Sequence, residues 1–419
     1  MYKKSVLANK IRVVSEYIPY VKSVTLGVWV GTGSRFEDSF NHGVSHFIEH
    51  LMFKGTSART AKDIAEAIDA VGGQLNAFTA KEYTCYYIKV LDSHKELAMD
   101  ILSDMLLHSK FAEEDIEKER QVVLEEVHMY EDTPDDLVHD LYLSDAWPAH
   151  QLGKNILGCE PSIEAFAKKT LADYCRDFYT ADNLVIAAAG NISHEELSHL
   201  AEKYFAAASG EKKQTRLAPP QIVPARQIHF KDTEQVHICL GVSSLPQADP
   251  DIYSVHLLNN ILGGGVSSRL FQAIREERGL AYSVYSYQNS YKDAGLFTVY
   301  AGTRQANVSE VISLVLANMR ELKRDNITPQ ELTRAKEQIK GAMMLGLESS
   351  SSRMSRLGKT EITAEKYLTL DELIEKIEAV TLDRVYEMIH RLFAREKLAV
   401  TLLGPIDAED VPVMFEAEL

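Results

Sequence analysis

Apolar and polar positions alternate along Val24-Thr25-Leu26-Gly27-Val28-Trp29-Val30 and along Tyr83-Thr84-Cys85-Tyr86-Tyr87-Ile88-Lys89-Val90. A period of two puts alternate side chains on one face of an extended chain, so both runs predict strands. Between them the period changes. Val44, Phe47, Ile48 and Leu51 recur at the three- and four-residue intervals that form one apolar face of a helix. Asn41 is placed to cap that helix at Gly43 or Val44, and Gly55 to end it in a left-handed exit. Farther along, Ile116, Val123, Val127 and Tyr130 stripe an acid-rich segment from Glu113 to Glu131, predicting a longer helix.

The pattern occurs twice, at a spacing of about 210 residues. Val236-His237-Ile238-Cys239-Leu240-Gly241-Val242 echoes the first strand. His256-Leu257-Leu258-Asn259-Asn260-Ile261-Leu262 echoes His46-Phe47-Ile48-Glu49-His50-Leu51-Met52. Leu398-Ala399-Val400-Thr401-Leu402-Leu403-Gly404 echoes Leu184-Val185-Ile186-Ala187-Ala188-Ala189-Gly190. A chain of 419 residues exceeds one ordinary core, and the repeat divides it into homologous domains at 1–208 and 227–419. Pro219, Pro220 and Pro224 amid polar residues mark 209–226 as a stiff linker. Hairpin-like strands, then long helices, then a closing strand predict an α+β class, each domain a mainly antiparallel sheet packed with helices.

Composition narrows the function. The chain is 45% hydrophobic and 25% charged, values typical of a soluble globular protein, and no apolar run is long enough to span a bilayer. The amino-terminal Met1-Tyr2-Lys3-Lys4 is basic but is followed by no apolar stretch of signal-peptide length, so a cytoplasmic location and no membrane partner are expected. A formal charge of −16 opposes binding to nucleic-acid phosphates. Cys85, Cys159, Cys175 and Cys239 are widely spaced with no C-x-x-C pair, which points to neither a disulfide framework nor a thiolate zinc site.

His46, Glu49 and His50 fall on the side of the first helix opposite its apolar face. Histidines at i and i+4 direct both rings to one region, where two imidazole nitrogens can meet a zinc ion at ~2.0–2.1 Å. Glu49 stands beside such an ion rather than on it, placed to take a proton from the attacking water. The order H-x-x-E-H inverts the H-E-x-x-H arrangement. A catalytic zinc uses three protein ligands and leaves one position open, so a third ligand is required. Glu119 and Glu126 are seven residues apart, nearly in register, and flank the apolar stripe of the acid-rich helix. Carboxylates at such an edge need a cation or hydrogen bonds to compensate them. Glu126 is assigned as the ligand and Glu119 as a supporting carboxylate, although helical geometry alone does not say which of the two binds metal.

The segment Gly31-Thr32-Gly33-Ser34-Arg35, the run from Gly43-Val44-Ser45-His46 to Lys54-Gly55-Thr56, and Glu126 downstream resemble the inverzincin peptidases. That family includes pitrilysin, insulin-degrading enzyme and the mitochondrial processing peptidase β subunit. The resemblance extends over essentially the whole chain, and the family also carries a glutamate where Glu119 stands. It implies a zinc-dependent endopeptidase acting on oligopeptides or unfolded segments, with one Zn2+ per chain and presequence processing among the family's activities. It further implies that Asn76, Ala77 and Phe78 lie on an edge strand to which a peptide substrate adds as an extra strand. In the family, an arginine and a tyrosine seven residues later reach the zinc site from the second half and hold the substrate or polarise its carbonyl; Arg275 and Tyr282 match them here. Without the resemblance, these two read as a surface cation and an ordinary strand tyrosine. Relatives built from one such chain tend to pair, so a homodimer or pairing with a homologous subunit is expected.

In the second half Asn259 and Asn260 stand in place of Glu49 and His50, and Ala335 and Ala342 align with Glu119 and Glu126, so no zinc site is expected there. Gly263-Gly264-Gly265 lacks the G-K-[ST] ending of a phosphate loop and reads as a flexible loop or helix terminator. In relatives, a glycine-rich loop near this place handles substrate in a partner subunit. Family members that have lost the metal residues serve as non-catalytic scaffold or partner subunits. That is the alternative reading, and the intact constellation of the first half argues against it.

Overall fold

The two alternating runs of the first half become the neighbouring antiparallel strands Ser23–Val30 and Thr84–Leu91. The computed structural model, which describes residues 2–215, 217–364, 366–393 and 398–412, sets them in a six-stranded sheet. Its strands are β1 (Tyr2–Val6), β2 (Arg12–Tyr17), β3 (Ser23–Val30), β4 (Gln74–Thr79), β5 (Thr84–Leu91) and β6 (Leu184–Gly190), in the order β1-β2-β6-β3-β5-β4. Only β2 and β6 run parallel; the other neighbours are antiparallel.

A sheet with one wet face would leave Thr25 in water. Thr25 is instead fully buried, its Oγ1 3.0 Å from Ser350 Oγ. The helix Ser350–Thr363 covers that face, packing Met354 and Leu357 against Trp29, Val185 and Ala187. Gly358 permits the close approach, since a Cβ there would lie 2.1 Å from the Trp29 Nε1. On the opposite face, Leu26, Val28 and Ile88 share a core with Val44, Phe47, Ile48 and Leu51 of the first amphipathic helix.

The second sheet repeats the plan with β7 (Arg226–Phe230), β8 (Val236–Ser244), β9 (Ala281–Ser290), β10 (Gly295–Thr303) and β11 (Ala399–Gly404), ordered β7-β11-β8-β10-β9. Again one pair, β7 with β11, is parallel and the rest antiparallel. The expected α+β class, with two mainly antiparallel sheets packed by helices, is what the chain forms. One face of this sheet lies under the helix Pro134–Ala146, whose Val138, Tyr142 and Ala146 pack on Cys239, Leu296 and Leu403.

Each compact unit is therefore discontinuous in sequence. One comprises the residues up to His128 with Asn155–Leu217 and Leu345–Tyr367; the other comprises Met129–Lys154, Ala218–Met344 and the residues from Leu368 onward. No helix among the described residues is long and apolar enough to cross a membrane.

Candidate metal centre

The first amphipathic helix spans Val44–Leu51 and buries its apolar face completely, with Val44, Phe47 and Ile48 at 0% exposure. Two expectations about its ends need correction. Asn41 does not cap it with its side chain, because the Asn41 Oδ1 accepts from the Asp38 N–H. The first-turn N–H groups of Gly43 and Ser45 donate instead to the Glu37 carboxylate. The helix also stops at Leu51, short of Gly55, which takes its left-handed φ of 117° only after an intervening turn. Past Leu51 the bonds tighten, the Phe53 and Lys54 N–H groups reaching back only three residues to the His50 and Leu51 carbonyls.

His46 and His50 project from this helix with ring centroids 4.7 Å apart. The acid-rich helix Glu113–Glu131 brings Glu126 to them: its Oε2 lies 3.3 Å from His50 Nε2 and 3.6 Å from His46 Nε2. Donors held at ~2.0–2.1 Å from one tetrahedral ion stand ~3.3–3.5 Å apart; the two Glu126 spacings are close to this, and all three donor atoms lie within 4.8 Å of one another, two imidazoles and one carboxylate of the kind zinc takes. Among the described residues, His46, His50 and Glu126 are the one group of three such side chains whose donor atoms converge this closely.

The two carboxylates that helical periodicity leaves equivalent face different atoms. Glu126 is half-exposed and meets the Nε2 side of His50. Glu119 is buried at 4% exposure, with its Oε2 3.2 Å from His50 Nδ1 and its Oε1 2.5 Å from Lys54 Nζ. Burial, followed by the neighbouring His50, pushes the His46 imidazole down to about 4, which keeps it in the neutral form that can ligate. For His50, burial works downward, but the Glu126 and Glu119 carboxylates outweigh it and raise its pKa. The carboxylates thus favour positive charge on His50, while burial disfavours it on His46.

Glu49 stays outside the donor group. Burial raises its pKa, and a hydrogen bond from Thr79 opposes the rise, the Thr79 Oγ1 donating to Glu49 Oε2 at 2.5 Å. Thr79 ends β4, which pairs only with β5 in its sheet and so lies at an edge. On the same strand Asn76 is exposed, Ala77 half-buried, and Phe78 packs edge-on against Trp29 with ring centroids 5.6 Å apart. The Thr79 contact and the Lys54 ion pair carry no pattern in sequence; both depend on how β4 and the two helices dock.

In the second unit, Arg275 lies in a π-helical turn, Phe271–Glu276, rather than a regular α-helix. Its guanidinium sits 4.5 Å from the Tyr282 ring centroid and 4.8 Å from that of Phe271, the geometry of cation–π contact. Tyr282, on β9, is 78% exposed. Beside them is a cleft of about 430 Å³ lined in part by Asn259, Gly263, Gly264, Gly265 and Arg275. Gly263 ends the helix Ile252–Gly263 against β9, where a Cβ would lie 2.3 Å from the Ser286 nitrogen. Helix termination with close backbone approach therefore explains that glycine.

The sequence matches known proteins along its length. Residues 12–160 match the family described as Insulinase (Peptidase family M16), and residues 165–339 match the one described as Peptidase M16 inactive domain. An uncharacterized zinc protease of Bacillus subtilis is 47% identical, over 97% of this chain and 98% of its own. One from Mycobacterium leprae is 42% identical, over 96% and 91% respectively. Among solved structures, a peptidase M16 inactive domain from Pseudomonas fluorescens superposes with a TM-score of 0.91 at 20% identity, covering 97% of this chain and 99% of that one. A protease from Helicobacter pylori gives 0.89 at 21% identity, covering 97% and 100%. At such identities the two structures speak for the fold alone.

Proposed function

This chain belongs to the M16 family of peptidases, and we propose that it is a zinc-dependent endopeptidase that hydrolyses peptide bonds in oligopeptides or unfolded segments. In this proposal residues 1–208 form the metal-holding half, 227–419 the homologous half without metal, and 209–226 join them. One observation carries the assignment: His46, His50 and Glu126 converge with donor spacings suited to a single tetrahedral ion, and Glu49 stands beside them without joining them. His46, His50 and Glu126 would hold the zinc. When bound, it supplies Lewis acidity toward water and toward a peptide carbonyl. Glu49 takes a proton from the attacking water and passes it to the leaving amine. Glu119 orients the His50 ring through Nδ1, the usual service of an outer carboxylate to a metal-ligating histidine.

As the edge strand of its sheet, β4 offers backbone groups to an extended substrate, which favours unfolded peptides and little sequence demand. The substrate-holding role implied for Arg275 and Tyr282 is supported by the exposure of the Tyr282 ring and by the packing that fixes the guanidinium. Homodimerisation or pairing with a homologous subunit, and presequence processing as the physiological task, belong to the same proposal on family resemblance. A scaffold role is disfavoured because every member of the metal constellation is present.

The test is metal analysis together with cleavage of an internally quenched peptide. Purified chain should carry a single zinc ion, lose hydrolysis on chelation and regain it on adding zinc back. Cleavage that persists after the metal is fully removed would sink the proposal.

A second expectation concerns Thr79. Replacing it with valine keeps the shape but removes the donor that fixes Glu49, so kcat should fall roughly 10–100-fold while KM holds, a hydrogen bond to a charged group contributing about 1.5–3 kcal/mol. Thr79→Ser should recover most of the rate. Steady-state kinetics on the three proteins decides it, and an unchanged kcat in the valine variant rules the role out.

A further inference from the structure

An α-helix begins with N–H groups that its own turns cannot satisfy. The usual remedy is a Ser, Thr, Asp or Asn at the N-cap. The helix Val44–Leu51 has only eight residues, too few to stand alone, and its N-cap is Gly43, at φ 92° and with no side chain to offer. Acceptors come from six residues upstream. Glu37, 3% exposed, takes the Gly43 N–H at 2.7 Å on Oε2 and the Ser45 N–H at 2.9 Å on Oε1. Burial pushes this carboxyl up to about 7, against the pull of the two backbone bonds and of Lys81, so the fold keeps an acid where burial disfavours its charge.

The second observation is at His46. A metal-ligating histidine usually donates its other ring nitrogen to a carboxylate or carbonyl, which fixes the ring. His50 has this support from Glu119 at Nδ1. The Nδ1 of His46 is buried with no hydrogen-bond partner among the described residues. Its ring direction therefore depends on the backbone that carries it, and that backbone is anchored one residue away, at Ser45.

We infer that Glu37 is the positioning residue for His46: by gripping two N–H groups of the first turn it sets the rotation and axial position of the helix, and through them the donor spacing of the metal site. This rests on the zinc reading above. The Ser45 hydroxyl also bonds Glu37 and links it to Tyr174, which lies 2.9 Å from Ser45 Oγ and 2.8 Å from Thr32 Oγ1, but Tyr174 holds side chains only, whereas the acid also holds backbone N–H groups.

Co2+ titration followed by visible absorption tests it, with circular dichroism and thermal unfolding as controls. Glu37→Gln offers one acceptor where there were two. It should remain folded, bind Co2+ about 10–100-fold more weakly and give an altered absorption band. Tyr174→Phe should lose thermal stability yet bind Co2+ with the affinity and spectrum of the parent. If the glutamine variant does not fold, Glu37→Asp, whose carboxylate is set back by one methylene from the two N–H groups, is read by the same criteria. Parent-like Co2+ binding in the Glu37 variant, or equal weakening in Tyr174→Phe, overturns the inference alone. A parent protein that takes up no Co2+ overturns the zinc reading and the inference together.

Discussion

Changing Glu49 to glutamine should leave zinc in the protein and lower peptide hydrolysis by about 10²–10⁴-fold, the usual contribution of a general acid–base group. The side chain is outside the donor set of His46, His50 and Glu126, so its charge is not needed to hold the metal. Glutamine keeps the volume and an oxygen that can still accept from Thr79 Oγ1, so β4 and the helix should stay docked as they are. What it cannot do is accept the proton of the attacking water. The loss should therefore fall on kcat, with KM little changed, because the substrate strand and its pockets are untouched. Metal analysis and steady-state kinetics on the same preparation provide the reading. A variant that cleaves at the parental rate excludes Glu49 as the base; one that loses zinc along with activity returns Glu49 to the ligand shell.

That experiment addresses a residue whose place could be read from sequence, and the reason is local. Val44, Phe47, Ile48 and Leu51 fix which side of the helix is buried, so His46, Glu49 and His50 are forced to the other. The duplication was legible for a similar reason: strands such as Leu184–Gly190 and Ala399–Gly404 keep the same buried run in both halves. Features set by docking were not legible. Amphipathicity says that Pro134–Ala146 and Ser350–Thr363 each have an apolar side, but not which sheet that side will cover. The capping rule looks for a Ser, Thr, Asp or Asn close to the helix start and so favours Asn41, whereas the acceptors come from Glu37 through a loop whose path no periodicity records. The bond from Thr79 to Glu49 is of the same kind, joining residues 30 positions apart in different elements.

Glu126→Ala and Glu119→Gln should separate the two carboxylates that sequence periodicity could not. Seven residues make nearly two turns, so the pair leaves the helix in almost the same direction, and only the docked neighbour distinguishes them. Glu126 Oε2 faces the Nε2 atoms of both histidines, whereas Glu119 faces His50 Nδ1 and Lys54. Removing Glu126 takes away one of three donors, and zinc affinity should fall by more than the ~10–100-fold that loss of an outer partner costs. Hydrolysis should then vanish at ordinary zinc levels. Glu119→Gln leaves the three donors intact but frees the His50 ring to turn and removes the charge that offsets Lys54. Its affinity loss should stay within ~10–100-fold, and excess zinc should restore most of the activity. Competition with a chromogenic chelator measures both constants. The opposite ranking, with Glu119→Gln the variant that cannot be reloaded, would move the third ligand from Glu126 to Glu119 and require the helix Glu113–Glu131 to dock about two turns out of its present register.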